Sequence, residues 1–378
     1  MKYRFDMPLT RRAWMVLTGA AVTGCGGGGS SFALPGTGGT GAVFAQGTIS
    51  GFGSVIVNGI KFDDLQATVK VEGTMATPAD LRLGMVAEIQ GERGVDLTLG
   101  TANHIEVWSI AQGEVSALVT GGFVVSGMTI LCDTATVLDG VNSLGELAAG
   151  QTLAVWGLQK RADASQWRAT RVGLKTPGLP VVSSGLLQAT ETGPVLNAMS
   201  LQGVVMDNMM QGALLRVEGI LSSLGVMQVS RVRLMNLGSM SESSDQVEIE
   251  GYVTEMTNTK RFKLGATDVD ASGADMQQAP SLGLGDRAEV YGYWRSAVLV
   301  ATRVAVETES ELQSTEISGM VSAYTSVSSF VVRDQRCDAS QARFSHGVAT
   351  DLKQGVMVKL KGARSGSVLL VSEVEFAS

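Results

Sequence analysis

The chain is poor in the side chains that most catalytic and metal sites use. It has two histidines, His104 and His346, and three cysteines in 378 residues. Neither histidine has a partner at metal-ligand spacing, no HExxH is present, and no nucleophile stands beside a base in a known pattern. The sequence therefore predicts no catalytic residue, no metal and no cofactor. A glycosidase-type pair of carboxylates, which only folding would bring together, is left open.

Positive charge is also scarce. Lysine and arginine number 29 against 36 acidic residues, which gives a net charge of −7. Removal of residues 1–24 would take away Lys2, Arg4, Arg11, Arg12 and Asp6, four positive charges and one negative, and leave −10. Because nucleic-acid binding depends on basic side chains that neutralise phosphates, this balance argues against DNA or RNA as a partner.

The N-terminus lacks an apolar run long enough to span a bilayer. The ten-residue run AWMVLTGAAV follows the basic segment MKYRFDMPLTRR, an order typical of a signal peptide. VTGC, Val22 to Cys25, stands at the end of this run and resembles the bacterial lipobox, in which the cysteine receives a diacylglyceryl group and the preceding peptide is removed. The resemblance implies a signal peptide of residues 1–24 and lipidation of Cys25. The alternative is a signal cut elsewhere, with Cys25 incidental.

Two features near the lipobox bear on export and location. Thr10 to Met15, TRRAWM, resembles a twin-arginine signal, and the alternative is an ordinary basic segment. The Gly/Ser-rich stretch after Cys25 predicts a tether over residues 25–45. Gly26 and Gly27 stand where inner-membrane lipoproteins commonly carry Asp, so we expect lipid anchoring in the cell envelope, at the outer membrane.

Proline is rare, with 7 residues, whereas glycine is abundant, with 47, and its positions repeat. A skeleton of Leu or Met, two residues, Gly, six residues, Gly occurs five times, beginning at Leu81, Leu147, Met209, Leu282 and Leu352. Between its glycines the third and fifth residues are always apolar, the alternation of a half-buried strand. The first glycine fits a turn with positive φ before the strand, and the second fits a turn or bulge after it.

Further marks surround each copy of the skeleton. Each unit opens on a glycine, continues with an apolar residue followed by Asp, and closes on a short strand such as ATRV or VSEV. The opening glycines are Gly47, Gly113, Gly185, Gly251 and Gly319, and the aspartates are Asp63, Asp133, Asp207, Asp270 and Asp338. Successive second glycines lie 66, 62, 73 and 70 residues apart. The marks predict an internal repeat whose unit is a small β-domain.

We therefore predict an all-β fold, a tandem array of about five small OB-like β-barrel repeats, with small β-sandwiches as the alternative. Such small units bury little core alone, so we expect neighbours to pack on one another. The predicted repeats span residues 46–110, 111–175, 181–235, 247–307 and 315–378. The turn-rich joint from Asn236 to Gln246 is the expected first site of limited proteolysis.

The order of marks resembles the bacterial domain of unknown function 5666 family, which occurs in tandem in predicted exported proteins. The resemblance covers about residues 45 to 376, and the third unit fits least well because its Gly185 to Gly212 span is the shortest. It implies an architecture, and it transfers no catalytic motif.

Aromatic residues are only 5% of the chain, yet several of them cluster. The candidate ligand-binding residues are Trp156, Trp167, Tyr291, Tyr293 and Trp294. Trp156 and Tyr291 occupy outward positions of the same repeat strand, where a ring could stack on a sugar. The alternative is that these rings cover an interdomain contact or a barrel rim.

The remaining candidates have structural interpretations. Cys132 and Cys337 precede Asp at one repeat position and are expected to be core residues. The repeated aspartates could suggest Ca²⁺, but single carboxylates outside a DxDxDG loop more often cap turns. The sequence thus favours a lipid-anchored, non-catalytic envelope scaffold with an envelope protein or glycan as partner. The alternative is a lipoprotein that binds an envelope glycan or another polymer, and an enzyme is the least favoured class.

Overall fold

The computed structural model describes residues 41–178, 180–204, 211–235 and 244–377. The predicted signal peptide, Cys25 and most of the predicted tether lie outside these residues. The described chain is nearly all β, as predicted. Its helices are short: α1 (Glu309–Gln313) and the 3-10 helices η1 (Pro78–Asp80), η2 (Leu144–Glu146) and η3 (Ala349–Asp351). None of the helices in this part of the chain is long and apolar enough to cross a bilayer.

Residues 111–174 form a closed five-stranded barrel, which we call barrel 2. Its strands are β9 (Ala111–Val119), β10 (Gly122–Val125), β11 (Met128–Leu131), β13 (Thr152–Gln159) and β14 (Gln166–Leu174), and β12 (Val137–Asp139) adds a short parallel pairing to β14. The order around the barrel is β9, β10, β11, β14, β13 and back to β9, with only the β11–β14 pairing parallel among the five. This is the strand order of an OB fold, so this stretch is a closed barrel rather than a sandwich.

The same order of pairings occurs in four further stretches. Barrel 1 (41–107) consists of β1 (Gly41–Thr48), β2 (Gly51–Phe52), β3 (Val55–Val57), β4 (Ile60–Asp63), β5 (Thr68–Val71), β6 (Thr74–Ala76), β7 (Val86–Arg93) and β8 (Leu99–Val107). Barrel 3 (181–234) consists of β15 (Val181–Leu186), β16 (Gln188–Thr190), β17 (Gly193–Leu196), β18 (Met199–Gln202), β19 (Leu214–Leu221) and β20 (Val226–Leu234). In both barrels the first strand is interrupted, and its two parts pair with different neighbours.

The C-terminal part of the chain holds the other two stretches. Barrel 4 (246–306) consists of β21 (Gln246–Asn258), β22 (Arg261–Leu264), β23 (Thr267–Asp270), β24 (Asp275–Gln278), β25 (Arg287–Arg295) and β26 (Val298–Val306). Barrel 5 (314–376) consists of β27 (Ser314–Ser326), β28 (Ser329–Val332), β29 (Gln335–Asp338), β30 (Arg343–Ser345), β31 (Met357–Ser365) and β32 (Val368–Phe376). In each, the third strand pairs in parallel with the last, as in barrel 2.

The repeated glycines have two distinct structural causes. The first glycine of each skeleton has a positive φ, from 75° at Gly212 to 90° at Gly285, which confirms the predicted turn. The second glycine lies inside its strand, where the register shifts by one residue. At Gly91, Gly157, Gly219, Gly292 and Gly362 this shift marks a β-bulge, so the strand continues past the glycine rather than ending there.

Apolar side chains fill the barrel interiors. Phe123, Ile130 and Val172 in barrel 2 are fully buried and belong to one core cluster. Barrels 1 and 5 contribute to a single cluster, while Phe44 of barrel 1 packs into the core cluster of barrel 4. The barrels therefore share apolar surface rather than standing apart.

The first strand of barrel 1 also extends the sheets of two other barrels. β1 pairs in parallel with β21, from Val43 opposite Gln246 to Gln46 opposite Ile249, and β2 pairs in parallel with β27. Residues 41–45, which the sequence assigned to the tether, are thus strand, because β1 is held between β7 and β21. The described barrels form a single compact unit.

Candidate functional site

A cleft of about 510 Å³ lies between barrels 1 and 2. Barrel 1 contributes the β5–β6 hairpin, with Glu72, Thr74 and Met75, and barrel 2 contributes the edge of β13 and β14, with Trp156 and Gly173. Clefts of this size are within the range of small-molecule sites. Since the barrel interiors are filled, the space between barrels is where a ligand would have room.

The charges at this cleft balance one another. Three cations, Arg82, Arg171 and Lys175, and three anions, Glu72, Asp80 and Asp139, line it. Arg171 bonds Asp139 at 2.5 Å and donates a second hydrogen bond to the Leu83 carbonyl of barrel 1 at 3.0 Å. Burial lowers the pKa of Arg171, and the Asp139 carboxylate opposes that shift. The guanidinium thus joins two barrels, while the Asp139 side chain stays 57% exposed.

A second cleft of about 260 Å³ lies between barrels 2 and 5 and shares Asp139 and Arg171 with the first. Its other lining residues include Asn142, Asp334 and Arg336. Arg336 donates to the Asn142 side-chain oxygen at 2.6 Å, and Asp334 pairs with Arg82 at 2.8 Å. The Asp139–Arg171 pair therefore stands where the two clefts meet.

Buried charges also hold barrels 1 and 4 together. Glu250 accepts from the Thr48 backbone amide at 2.5 Å and pairs with Arg287, which also forms an ion pair with Glu307 at 3.0 Å. Burial raises the pKa of Glu307 to about 9, and the neighbouring Glu250 adds to the shift. Burial likewise raises the pKa of Glu248 to about 7, although Arg93 opposes that shift.

Trp156 and Trp167, the two candidate sugar-binding tryptophans of barrel 2, lie in different environments. Trp156 points away from its own barrel, but its ring is 3% exposed and packs in the cluster of barrels 1 and 5. Trp167 is 2% exposed inside barrel 2, where its indole nitrogen donates to the Ala164 carbonyl at 3.1 Å. The predicted outward position of Trp156 is correct, but barrel 1 covers that face of the strand and leaves no ring face for a sugar. The alternative, an interdomain contact, describes Trp156.

The three aromatic residues of barrel 4 lie apart from those tryptophans. The Tyr291 ring is covered by the Arg303 guanidinium, 3.7 Å from the ring centroid, and its hydroxyl donates to Glu289 at 2.5 Å. Tyr293 is 36% exposed and accepts from Arg295 at 3.0 Å, whereas Trp294 is partly buried against the barrel 4 core. Tyr293 is thus the most exposed of the three rings, while Tyr291 and Trp294 are partly buried.

The repeated aspartates cap turns. Asp63, Asp133, Asp270 and Asp338 each accept from the backbone amide two residues ahead, at 2.8 to 3.1 Å. Asp207 lies outside the described residues. No group of three or more His, Cys, Asp or Glu that could hold a metal occurs within the described part of the chain.

Cys132 and Cys337 are free and buried, as expected of core residues. Burial raises the pKa of each thiol to about 12. Both therefore stay protonated at neutral pH and behave as small apolar side chains.

Sequence reasoning missed the residues that join the barrels. Arg216 of barrel 3 is 1% exposed, pairs with Glu72 of barrel 1, and donates to the Ser109 carbonyl at 2.7 Å. Its guanidinium also lies over the Trp108 ring, 5.0 Å from the centroid. The one signal in the sequence was Arg216 between two apolar positions of a repeat strand, where the other units carry Glu, Ala or Lys.

Comparison with known families gives a match for one barrel. No curated protein matches the chain. Residues 112–173 match the family described as Domain of unknown function (DUF5666), a range that coincides with barrel 2 from its first strand to its last. The chain therefore resembles that family over residues 112–173, the stretch that forms barrel 2.

Proposed function

We propose that this protein is a lipid-anchored, non-catalytic scaffold of the bacterial cell envelope. In this proposal Cys25 carries the lipid, the outer membrane is the site of attachment, and an envelope protein or glycan binds the surface formed by the barrels. The observation that carries the scaffold part is the way in which the barrels join. β1 and β2 extend the sheets of barrels 4 and 5, so the units form one body with a fixed outer surface.

The use of the barrel interiors supports the same proposal. Apolar side chains occupy them, and the two described clefts lie between barrels. A protein of this kind presents its binding groups on an outer surface, and the junctions determine how those groups are spaced.

Fractionation with metabolic fatty-acid labelling tests the anchored part. We expect the wild type to incorporate the label and to fractionate with the outer membrane. Cys25→Ser keeps the export signal but lacks the thiol that would accept the lipid, so it should remain unlabelled and uncut or misprocessed. Recovery of the wild type as soluble, unlabelled periplasmic protein would contradict the proposal.

A further inference from the structure

The cleft between barrels 1 and 2 is lined by polar side chains whose charges balance. Its charged side chains are three of each sign, so a ligand of high net charge would find no matching excess in the cleft. The polar groups include both donors and acceptors. The Asp139 carboxylate lies beside the Arg171 guanidinium, and the Gln112 amide and the Thr74 hydroxyl add both kinds of group.

A ligand that carries many hydroxyl groups matches such a lining. Each hydroxyl both donates and accepts, so neighbouring hydroxyls can bond a carboxylate and a guanidinium side by side without a change of net charge. Apolar surface is present as well: Met75, whose side chain is 67% exposed, lies on the barrel 1 wall and can cover the C–H face of a sugar ring. Trp156 lines the floor but is too buried to serve as a stacking platform.

We propose that this cleft binds a neutral oligosaccharide. The inference rests on the proposal that the protein is an interaction scaffold, but not on the lipid anchor, because residues 71–175 alone line the cleft. It names a binding place different from the aromatic platform that the sequence suggested. Trp156 is the one residue common to both.

Gly173 offers a precise way to block the cleft. It lines the barrel 2 wall with an ordinary φ, and a Cβ added there would meet only Asp139, at 3.7 Å or more. Gly173→Ala therefore fits with ordinary van der Waals contacts. Gly173→Leu would extend three further carbon atoms towards the space that a ligand needs. Thr74→Trp fills the cleft from the opposite, exposed wall, with Thr74→Ser as its control.

The test is isothermal titration calorimetry of the detergent-solubilised full chain with N-acetylglucosamine trimer, cellotriose and maltotriose. Trigalacturonate and chitosan trimer serve as anionic and cationic comparators. We expect at least one neutral trimer to bind, with a Kd that changes less than twofold between 50 and about 300 mM salt, since no net charge is neutralised. Gly173→Leu and Thr74→Trp should weaken that binding at least tenfold, and Gly173→Ala and Thr74→Ser less than twofold.

Three results would overturn the inference: no binding of any neutral trimer, tighter binding of a charged trimer, or full binding by both blocked variants. Circular dichroism of each variant shows whether it folds, and the two blocking positions lie on different barrels, so a folding defect in one leaves the other informative. If no trimer binds while the wild type is fatty-acid labelled and fractionates with the outer membrane, the anchored scaffold stands and only the ligand assignment fails.

Discussion

Gly47 lies directly beneath the side chain of Asn58, and a Cβ at position 47 would be 2.0 Å from the Asn58 Oδ1 atom. Asn58 also donates from Nδ2 to the carbonyl of Gln46, the residue before the glycine, at 3.2 Å. The same pair of contacts recurs with Ser126 over Gly113 and with Asn197 over Gly185. The opening glycine of these units is therefore explained by a turn that folds back onto the first strand.

This relationship predicts that Gly47→Ala destabilises the protein by an amount that depends on the Asn58 side chain. In the wild type the added methyl would displace Asn58, whose φ of 51° limits how it can move, so we expect destabilisation of about 1–3 kcal/mol. In an Asn58→Gly background the Asn58 side chain is absent and only Glu250 Oε2, 3.0 Å from the added Cβ, remains close, so the cost should fall by at least half but not to zero. Urea unfolding of the four proteins gives the coupling free energy. Equal costs in both backgrounds would show that Asn58 is not the obstacle.

At the bulge glycines we predict a loss of stability that does not depend on a neighbouring side chain. At Gly362 a Cβ would lie 2.1 Å from the Leu370 carbonyl oxygen, a backbone atom of the neighbouring strand, so the bulge itself must shift. Gly362→Ala should destabilise the protein by about 1–3 kcal/mol. Gly273→Ala is the control, because a Cβ there meets nothing within 4 Å, and it should change stability by less than about 0.5 kcal/mol. Thermal unfolding of the two variants side by side measures the difference.

The buried Glu307 predicts a dependence of stability on pH. Its pKa is about 9 in the fold and about 4.5 in the unfolded chain, so between these values the folded state holds a proton that the unfolded state has lost. The contribution of Glu307 to the free energy of unfolding is fully present below pH 4.5. It declines as the pH rises towards 9, by at most about 1.4 kcal/mol per pH unit. Glu307→Gln imitates the protonated side chain, so the stability of this variant should decline less as the pH rises. Urea titrations from pH 5 to 9 compare the two slopes, and parallel slopes would refute the protonated state.

The junction of barrels 1 and 3 predicts a large effect at Arg216. Arg216→Met leaves Glu72 partly buried without its counterion, which we expect to cost about 3–5 kcal/mol. Arg261→Met is the matched control, since its partner Asp270 is 3.9 Å away, Arg261 is exposed and Asp270 is only partly buried, and it should cost less than about 1 kcal/mol. Hydrogen exchange should locate the loss of protection in β15 and β19. A uniform loss across the barrels would argue against a local junction.

The predicted proteolysis between Asn236 and Gln246 stays a prediction. Residues 236–243 lie outside the described residues. Limited proteolysis of the folded chain, read by mass spectrometry, measures the first cut. Early cleavage inside Gly84 to Gly91, where β7 pairs with both β1 and β8, would count against the assigned strands.

Local pattern was enough to predict the barrels, because each mark reports a contact within one unit. The positive φ at Gly84 and the alternation of β7 depend on residues near in sequence, so a single chain carries their signal. The junctions depend on residues far apart. Glu72 and Arg216 are separated by 144 positions, and nothing near either residue indicates the other.

The burial of Trp156 could not be predicted from the sequence pattern. Alternation correctly places its ring outside barrel 2, yet alternation cannot tell whether water or another barrel lies on that side. The cleft was missed for the same reason, since Glu72 and Gly173 become neighbours only when two barrels pack.

The most direct test of the proposed function is the mass of the mature N-terminus. Protein purified from membranes in detergent is digested, and its N-terminal peptide is analysed by mass spectrometry. We predict a peptide that begins at Cys25 and carries a diacylglyceryl thioether, with or without a further acyl group on its amine. An unmodified peptide that begins at any other residue, or a free thiol at Cys25, would contradict the lipid anchor.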